Sequence, residues 1–316
     1  MKKLFPILIL FLIFNCKSTN KSDSKPITIT SSEVESAVTF LASDERQGRN
    51  TGSPGIVAAA NYIADQFKSF GVNPYFETYR DNFDVNGTEA FNVVGYIEGS
   101  DPTLKNEVII LGAHYDHIGL GKTVEGDSIA NGANDNAAGT STVLAMAKYF
   151  GAKKNNKRSM IFALFSAEEM GLKGSKHLSE VLKANNLDLY TMVNFEMIGV
   201  PMKGEDLKAY LTGFEMSNMA DKMNEYIGSN VIRFLPTAKK YGLFRRSDNY
   251  PFFNQFKVPC QTISTFDFTN YDYYHHVDDE SELMDYDHMA QLINTVIPAI
   301  EKMTNTPTKE IVMYEQ

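Results

Sequence analysis

Residues 107–114, Glu-Val-Ile-Ile-Leu-Gly-Ala-His, run straight into Tyr115-Asp116-His117, and the reading of this stretch decides the fold. An unbroken apolar run that ends in polar residues fits a strand buried on both faces with a functional loop at its carboxyl end. The pattern recurs where Met160–Phe165 leads into Ser166-Ala167-Glu168-Glu169 and where Met192–Phe195 leads into Glu196. Strands are expected at Phe91–Glu98, Glu107–His114, Ser159–Phe165, Thr191–Glu196, Lys208–Thr212, Asn230–Leu235 and Val258–Ser264. Helices are expected from Ser31 through Leu41, over Gly55–Phe70, and at Ala137–Phe150, Leu172–Ala184, Met216–Ile227 and Asp285–Met303. Strand and helix in alternation predict a three-layer α/β/α domain around a mostly parallel sheet. No internal repeat and no linker interrupts residues 31–305, so one domain is expected there, with 306–316 as a C-terminal tail.

The composition agrees. Of 316 residues, 43% are hydrophobic and 22% charged, with 11 prolines and 21 glycines, which excludes disordered and fibrous classes. A net charge of −9, from 39 acidic against 30 basic residues, offers no basic field for a phosphate backbone, so nucleic-acid binding is not expected. Lys2 and Lys3, the apolar run Leu4–Phe14 and a polar Lys/Ser/Thr/Asn stretch form a secretory signal layout, too short for a permanent span. Ile13-Phe14-Asn15-Cys16 resembles a bacterial lipoprotein cleavage site, although Asn15 stands where a small residue is usual. That reading makes residues 1–15 a signal peptide, Cys16 a lipidated N-terminus and residues 16–30 a flexible tether. The protein is then exported and held at a periplasmic, outer-membrane or cell-surface location by its acyl chains. An ordinary cleaved signal with an incidental cysteine is the plainer alternative. Cys260, within Val258–Ser264, reads as a small buried hydrophobe.

Ligands of open α/β sheets collect at the carboxyl ends of strands. His114, Asp116 and His117, Glu168-Glu169, and Glu196 follow such ends, and Cys260–Thr265 leads towards His275-His276. Asp135 lies in Asn131-Gly132-Ala133-Asn134-Asp135-Asn136-Ala137-Ala138-Gly139 before a helix. Each element alone has a structural explanation: a surface His-x-Asp pair, a Glu-Glu pair opening a helix, an Asn/Asp turn capping one. Their coincidence at four strand ends points instead to a site for zinc or a similar divalent ion, since histidines with carboxylates and no cysteine suit that chemistry.

His114-Tyr115-Asp116, Asn134 to Gly139, Ser166 to Ser175, Asn194 to Gly199 and Tyr274 to Asp279 occur in an order that resembles the motifs of the co-catalytic two-zinc aminopeptidases. These are the secreted bacterial leucyl aminopeptidases, related to glutamate carboxypeptidase and glutaminyl cyclase. The resemblance covers roughly Val34 to Met303. It implies a central mixed sheet of about eight strands and a surface site for two Zn2+, other divalent metals being possible. It also implies that His114 binds one zinc, that Asp135 bridges both, and that Glu196 completes the first while Glu169 and His275 hold the second. Glu168 becomes the general base, Asp116 the acceptor of the other ring N–H of His114, and Tyr274 the donor to the developing oxyanion. A cis peptide bond after Asp135 is implied as well.

Two positions depart from the pattern: Glu196 stands where Asp is usual, and Asn249 where His is frequent, so the Ser247–Phe252 loop is read as cleft lining. His276 and His117 flank the expected ligands, His177 and His288 fall in predicted helices, and Tyr271–Tyr274 with Phe266 and Phe268 form a packing or entrance cluster. The implied activity is removal of N-terminal residues from a peptide substrate. A cyclotransferase using one zinc remains an alternative, disfavoured because such relatives lack the histidine at position 114. A carboxypeptidase would need cations near the site, which Arg245 and Arg246 offer. A non-catalytic lipid-anchored binding module should have lost ligands, and only Glu196 is changed. Oligomeric state is not legible.

Overall fold

In the computed structural model, residue 1, residues 26–205 and residues 207–315 are described. The expectations for the signal segment and Cys16 lie outside them. Thr30 opens the first helix, α1 (Ser31–Leu41), through a capping box: its hydroxyl accepts the Glu33 N–H while the Glu33 carboxylate accepts the Thr30 N–H. Ser53 caps α2 (Pro54–Ser69), with Pro54 in the first turn where a missing N–H costs nothing. The remaining helices are α3 (Ala138–Lys153), α4 (Lys173–Ala184), α5 (Met219–Ile227), α6 (Pro236–Lys240), α7 (Asn249–Phe256) and α8 (Tyr286–Asn305).

The strands are β1 (Asn73–Pro74), β2 (Arg80–Val85), β3 (Thr88–Ile97), β4 (Glu107–His114), β5 (Gly119–Val124), β6 (Asp127–Ala130), β7 (Ser159–Phe165), β8 (Asp188–Phe195), β9 (Ala209–Leu211), β10 (Ile232–Arg233) and β11 (Cys260–Ser264). Nine of them form one mixed sheet in the order β1-β3-β7-β4-β8-β11-β9-β10, with β2 paired to β3. The parallel core is β7-β4-β8-β11, and the antiparallel pairings lie on either side of it. The fold class is the expected mixed α/β sheet with helices on both faces. Alternation along β4 divides the core: Ile109, Leu111 and Ala113 belong to the cluster that includes α1, α2, α3, α5 and α8, while Val108 and Ile110 belong to the one that includes α4.

Several boundaries shift for local reasons. The helix expected from Met216 begins at Met219, because Ser217 is extended and bridges Met313 near the C-terminus. Ile311 in that segment is buried. β2, paired to β3, and the separate two-stranded β5-β6 hairpin were not expected, since neither carries the continuous apolar run of the central strands. The stretch expected as a cleft loop at Ser247–Phe252 is largely helix, α7. Asn249 there is buried, donating to the Phe244 and Cys260 carbonyls and accepting from Thr262, so it packs the interior; Ser247 is the residue that lines the cleft. Glu168-Glu169 does not open a helix either: α4 starts only at Lys173, and the two glutamates sit in the turn before it.

Candidate metal centre

Four adjacent parallel strands deliver the site. β4 ends at His114, β7 precedes Glu168 and Glu169, β8 ends just before Glu196, and the loop after β11 carries His275. The turn before α3 supplies Asp135, and the Asp135–Asn136 peptide bond is cis. Asp135 is buried and offers its oxygens in two directions: His114 Nε2 is 3.3 Å from Oδ1, and His275 Nε2 is 3.2 Å from Oδ2. Glu169 closes the second side, with Oε2 3.2 Å from His275 Nε2. Ligand atoms of His114, Asp135 and Glu169 lie within 4.8 Å of one another. Glu196 is held from outside the cluster by the Ser247 hydroxyl, which donates to Oε2.

The turn is fixed by residues the sequence reading gave no role. Asp279 accepts the N–H groups of Asn134 (2.8 Å) and Asp135 (3.0 Å), and the Tyr271 hydroxyl donates to it at 2.6 Å. Asn136 accepts the N–H groups of Gly139 and Met197 and donates to the Phe195 carbonyl, tying the turn to the end of β8. Gly139 permits this approach: a Cβ there would stand 2.3 Å from the Phe195 oxygen. Arg49, fully buried, donates to the carbonyls of Tyr115 (2.8 Å), Leu41 (2.7 Å), Asn131 (2.6 Å) and Gly132 (2.8 Å), clamping the loop after His114 to the loop before Asp135. Burial pulls its pKa down to about 10 against the support of Asp279, Asp116, Asp135 and Glu169.

Asp116 acts differently from the expectation. The nearest acceptor of His114 Nδ1 is the Asp116 main-chain carbonyl at 3.2 Å, while its carboxylate oxygen Oδ1 is 3.7 Å away. That carboxylate accepts the N–H groups of Glu168 (3.2 Å) and Glu169 (3.4 Å), and so positions the turn carrying both glutamates. His117, one of the flanking histidines, is buried beside the cluster with Nδ1 3.0 Å from Glu169 Oε1. His276 faces Asp278 instead. His177 pairs with Asp81, 3.2 Å away, and His288 is buried in α8. Tyr274 stacks on His275 with ring centroids 4.0 Å apart and lines the cleft.

Left-handed backbone recurs beside the functional side chains: φ is 54° at Ala167, 49° at Met197 and 56° at His275. Such conformations cost L-residues about 1–3 kcal/mol each and are kept where surrounding structure dictates a geometry.

Burial and mutual repulsion dominate the electrostatics of the carboxylates. Burial, opposed by His114 and reinforced by Asp248, Glu196 and Glu169, raises the Glu168 pKa well above the carboxylate range. Burial likewise pushes Glu196 and Asp248 up to about 7. Burial alone would lower His275, but Asp135 and Glu169 outweigh it and bring it to about 10. Buried carboxylates stay ionised where cations face them. His114 Nε2 is buried and has only Asp135 Oδ1 beside it, 3.3 Å away and outside good hydrogen-bond geometry, as two ligands of one metal would be. The donor set, imidazole and carboxylate without thiolate, fits zinc.

Comparison with known proteins gives the same answer. A probable leucine aminopeptidase of Trichophyton verrucosum is 28% identical over 232 residues, covering 71% of this chain and 58% of the relative. Leupeptin-inactivating enzyme 1 of Streptomyces exfoliatus is 28% identical over 171 residues, 54% of this chain and 35% of that enzyme, so the chain spans only part of the length of these relatives. In structure, the Legionella pneumophila LapA aminopeptidase superposes with a TM-score of 0.68 at 22% identity, over 88% of this chain and 73% of that one. Porphyromonas gingivalis glutaminyl cyclase does so with 0.67 at 16% identity, over 88% and 100%. These two likenesses establish the fold. Residues 92–300, the greater part of the chain and the part that carries the whole cluster from His114 to His275, match the pattern of peptidase family M28, and to that family the chain belongs.

Proposed function

We propose that the protein is an aminopeptidase with a two-zinc centre. The observation that carries this reading is Asp135, whose two oxygens face His114 on one side and His275 on the other. That is the disposition of a carboxylate shared by two ions. His114 and Glu196 would hold the first ion, and Glu169 with His275 the second. Ions bound there would supply Lewis acidity and activate water near neutral pH.

The remaining work falls to side chains. Glu168, beside the ligand Glu169 on the same turn, is the general base: it takes the proton of the attacking water and returns it to the departing amine. The Tyr274 hydroxyl donates to the oxygen of the tetrahedral intermediate. A free peptide α-amine is a further ligand that the metal centre would accept, which selects the N-terminal residue. The side chain of the N-terminal residue enters the adjoining pocket lined by Met197, Leu243, Phe266 and Tyr274. We also propose an exported protein with lipid on Cys16, a reading that rests on the sequence pattern.

Metal content measured alongside hydrolysis of aminoacyl p-nitroanilides tests the reading. It requires two zinc ions per chain and release of the N-terminal residue. A single zinc with cyclisation of an N-terminal glutaminyl peptide would replace it by the cyclotransferase.

A further inference from the structure

The chain has seven arginines, and five are engaged. Arg49 holds four carbonyls, Arg158 pairs with Glu107, Arg233 with Glu205, Arg80 binds Asn61, and Arg46 lies over the Phe40 ring. Arg245 and Arg246 are the exceptions: both are exposed, and among the described residues neither guanidinium makes an ion pair or hydrogen bond. Both line the cleft that contains Asp135, Glu168, Glu169, Glu196, Tyr274 and His275.

Two unpaired guanidinium groups border a concentration of buried carboxylates. In the proposed two-zinc centre those carboxylates are partners of the ions, so the arginines need a counter-charge of their own. The peptide's α-ammonium cannot supply it, being repelled by them. A carboxylate can, and guanidinium matches it bidentately. The cleft encloses about 390 Å³, at the low end of small-ligand sites. One residue spans at most ~3.6 Å, so a carboxylate one residue beyond the scissile bond stays close to the centre, on whose cleft both arginines lie.

Building on the aminopeptidase reading, we propose that Arg245 and Arg246 bind a carboxylate on the leaving-group side of the substrate, which makes short peptides with a free C-terminus the preferred substrate class. The carboxylate has two possible sources, the terminal carboxyl of a dipeptide or the side chain of an acidic second residue.

The test compares Leu-Ala, Leu-Ala-amide and Leu-Asp-amide on the zinc-loaded full chain and on the Arg245→Gln/Arg246→Gln double variant. The expected result is a kcat/KM for Leu-Ala at least about tenfold above Leu-Ala-amide, expressed mainly in KM, with that ratio collapsing towards one in the double variant. A matching advantage of Leu-Asp-amide over Leu-Ala-amide, lost in the same variant, extends recognition to the side-chain carboxylate; its absence confines recognition to the terminus. Calorimetric titration of the Glu168→Gln protein with Leu-Ala and its amide reads the same preference without turnover. An acid-to-amide ratio near one in the wild type, or an equal loss for acid and amide in the variant, overturns the proposal. Failure of the zinc-loaded chain to cleave any leucyl substrate overturns the aminopeptidase reading instead, and the calorimetric preference still decides the role of the arginines.

Discussion

His117 Nδ1 stands 3.0 Å from Glu169 Oε1, with the imidazole fully enclosed. The opposite oxygen of Glu169 faces His275. One carboxylate is thereby oriented from behind by a ring and presents its free oxygen to the centre, as outer partners of metal ligands do.

His117→Ala should weaken zinc binding by about 10–100-fold while leaving the ligand set intact. Competition against a chelating dye measures this. Activity should return when zinc is raised, and His117→Gln, which keeps a donor, should fall between the two. Unchanged zinc affinity in His117→Ala would remove its positioning role.

Glu168→Gln and Glu169→Gln should fail in different ways. The first should lose about 10²-fold or more in turnover with metal retained, since a general base contributes about 10²–10⁴-fold. The second should lose metal and recover partly in excess zinc. Their divergence does not come from a helix, because both lie in the turn anchored by Asp116. Identical behaviour of the pair, by metal analysis and steady-state rates, would reassign the site.

Arg49→Met should lower unfolding free energy by about 3–5 kcal/mol, because four buried carbonyls lose their donor at once. Chemical denaturation of the metal-free protein isolates this from zinc binding. A loss below ~1 kcal/mol would mean that water replaces the guanidinium.

The hydrogen bond to Asp81 raises the His177 pKa above its ordinary 6.5 against partial burial. A histidine raised on folding contributes stability that is fully present below pH 6.5 and fades as pH climbs through the raised value. The difference in unfolding midpoint between wild type and His177→Ala should therefore be larger at pH 5 than at pH 9. A difference that grows with pH would exclude the charged pair.

The mature chain produced in a bacterium should begin at a lipid-modified Cys16. Intact-mass and N-terminal peptide spectra check this, and an unmodified start elsewhere removes the anchor.

The chain's own order of residues determined the architecture, because apolar runs such as Val108–Ala113 and Met160–Phe165, short and ending in polar residues, fit strands buried on both faces, and their polar ends then converge by topology. Three candidate ligands were legible for the same reason: His114 ends one such strand, Glu196 directly follows another and Glu169 lies in the turn after a third. Asp135 and His275 were legible through motif resemblance, since their neighbours in sequence do not show which strand end they join. What holds these groups in place was decided by tertiary structure. Arg49 lies 82 residues from Asn131 and Asp279 lies 144 from Asp135, so no local pattern links them. The Asp116 carboxylate turned to the N–H groups of the glutamate turn because those donors, brought over by β7, would otherwise be buried unpaired. Polar groups taken out of water must find partners wherever the fold puts them, and that requirement, acting across distant segments, sets the geometry of the site.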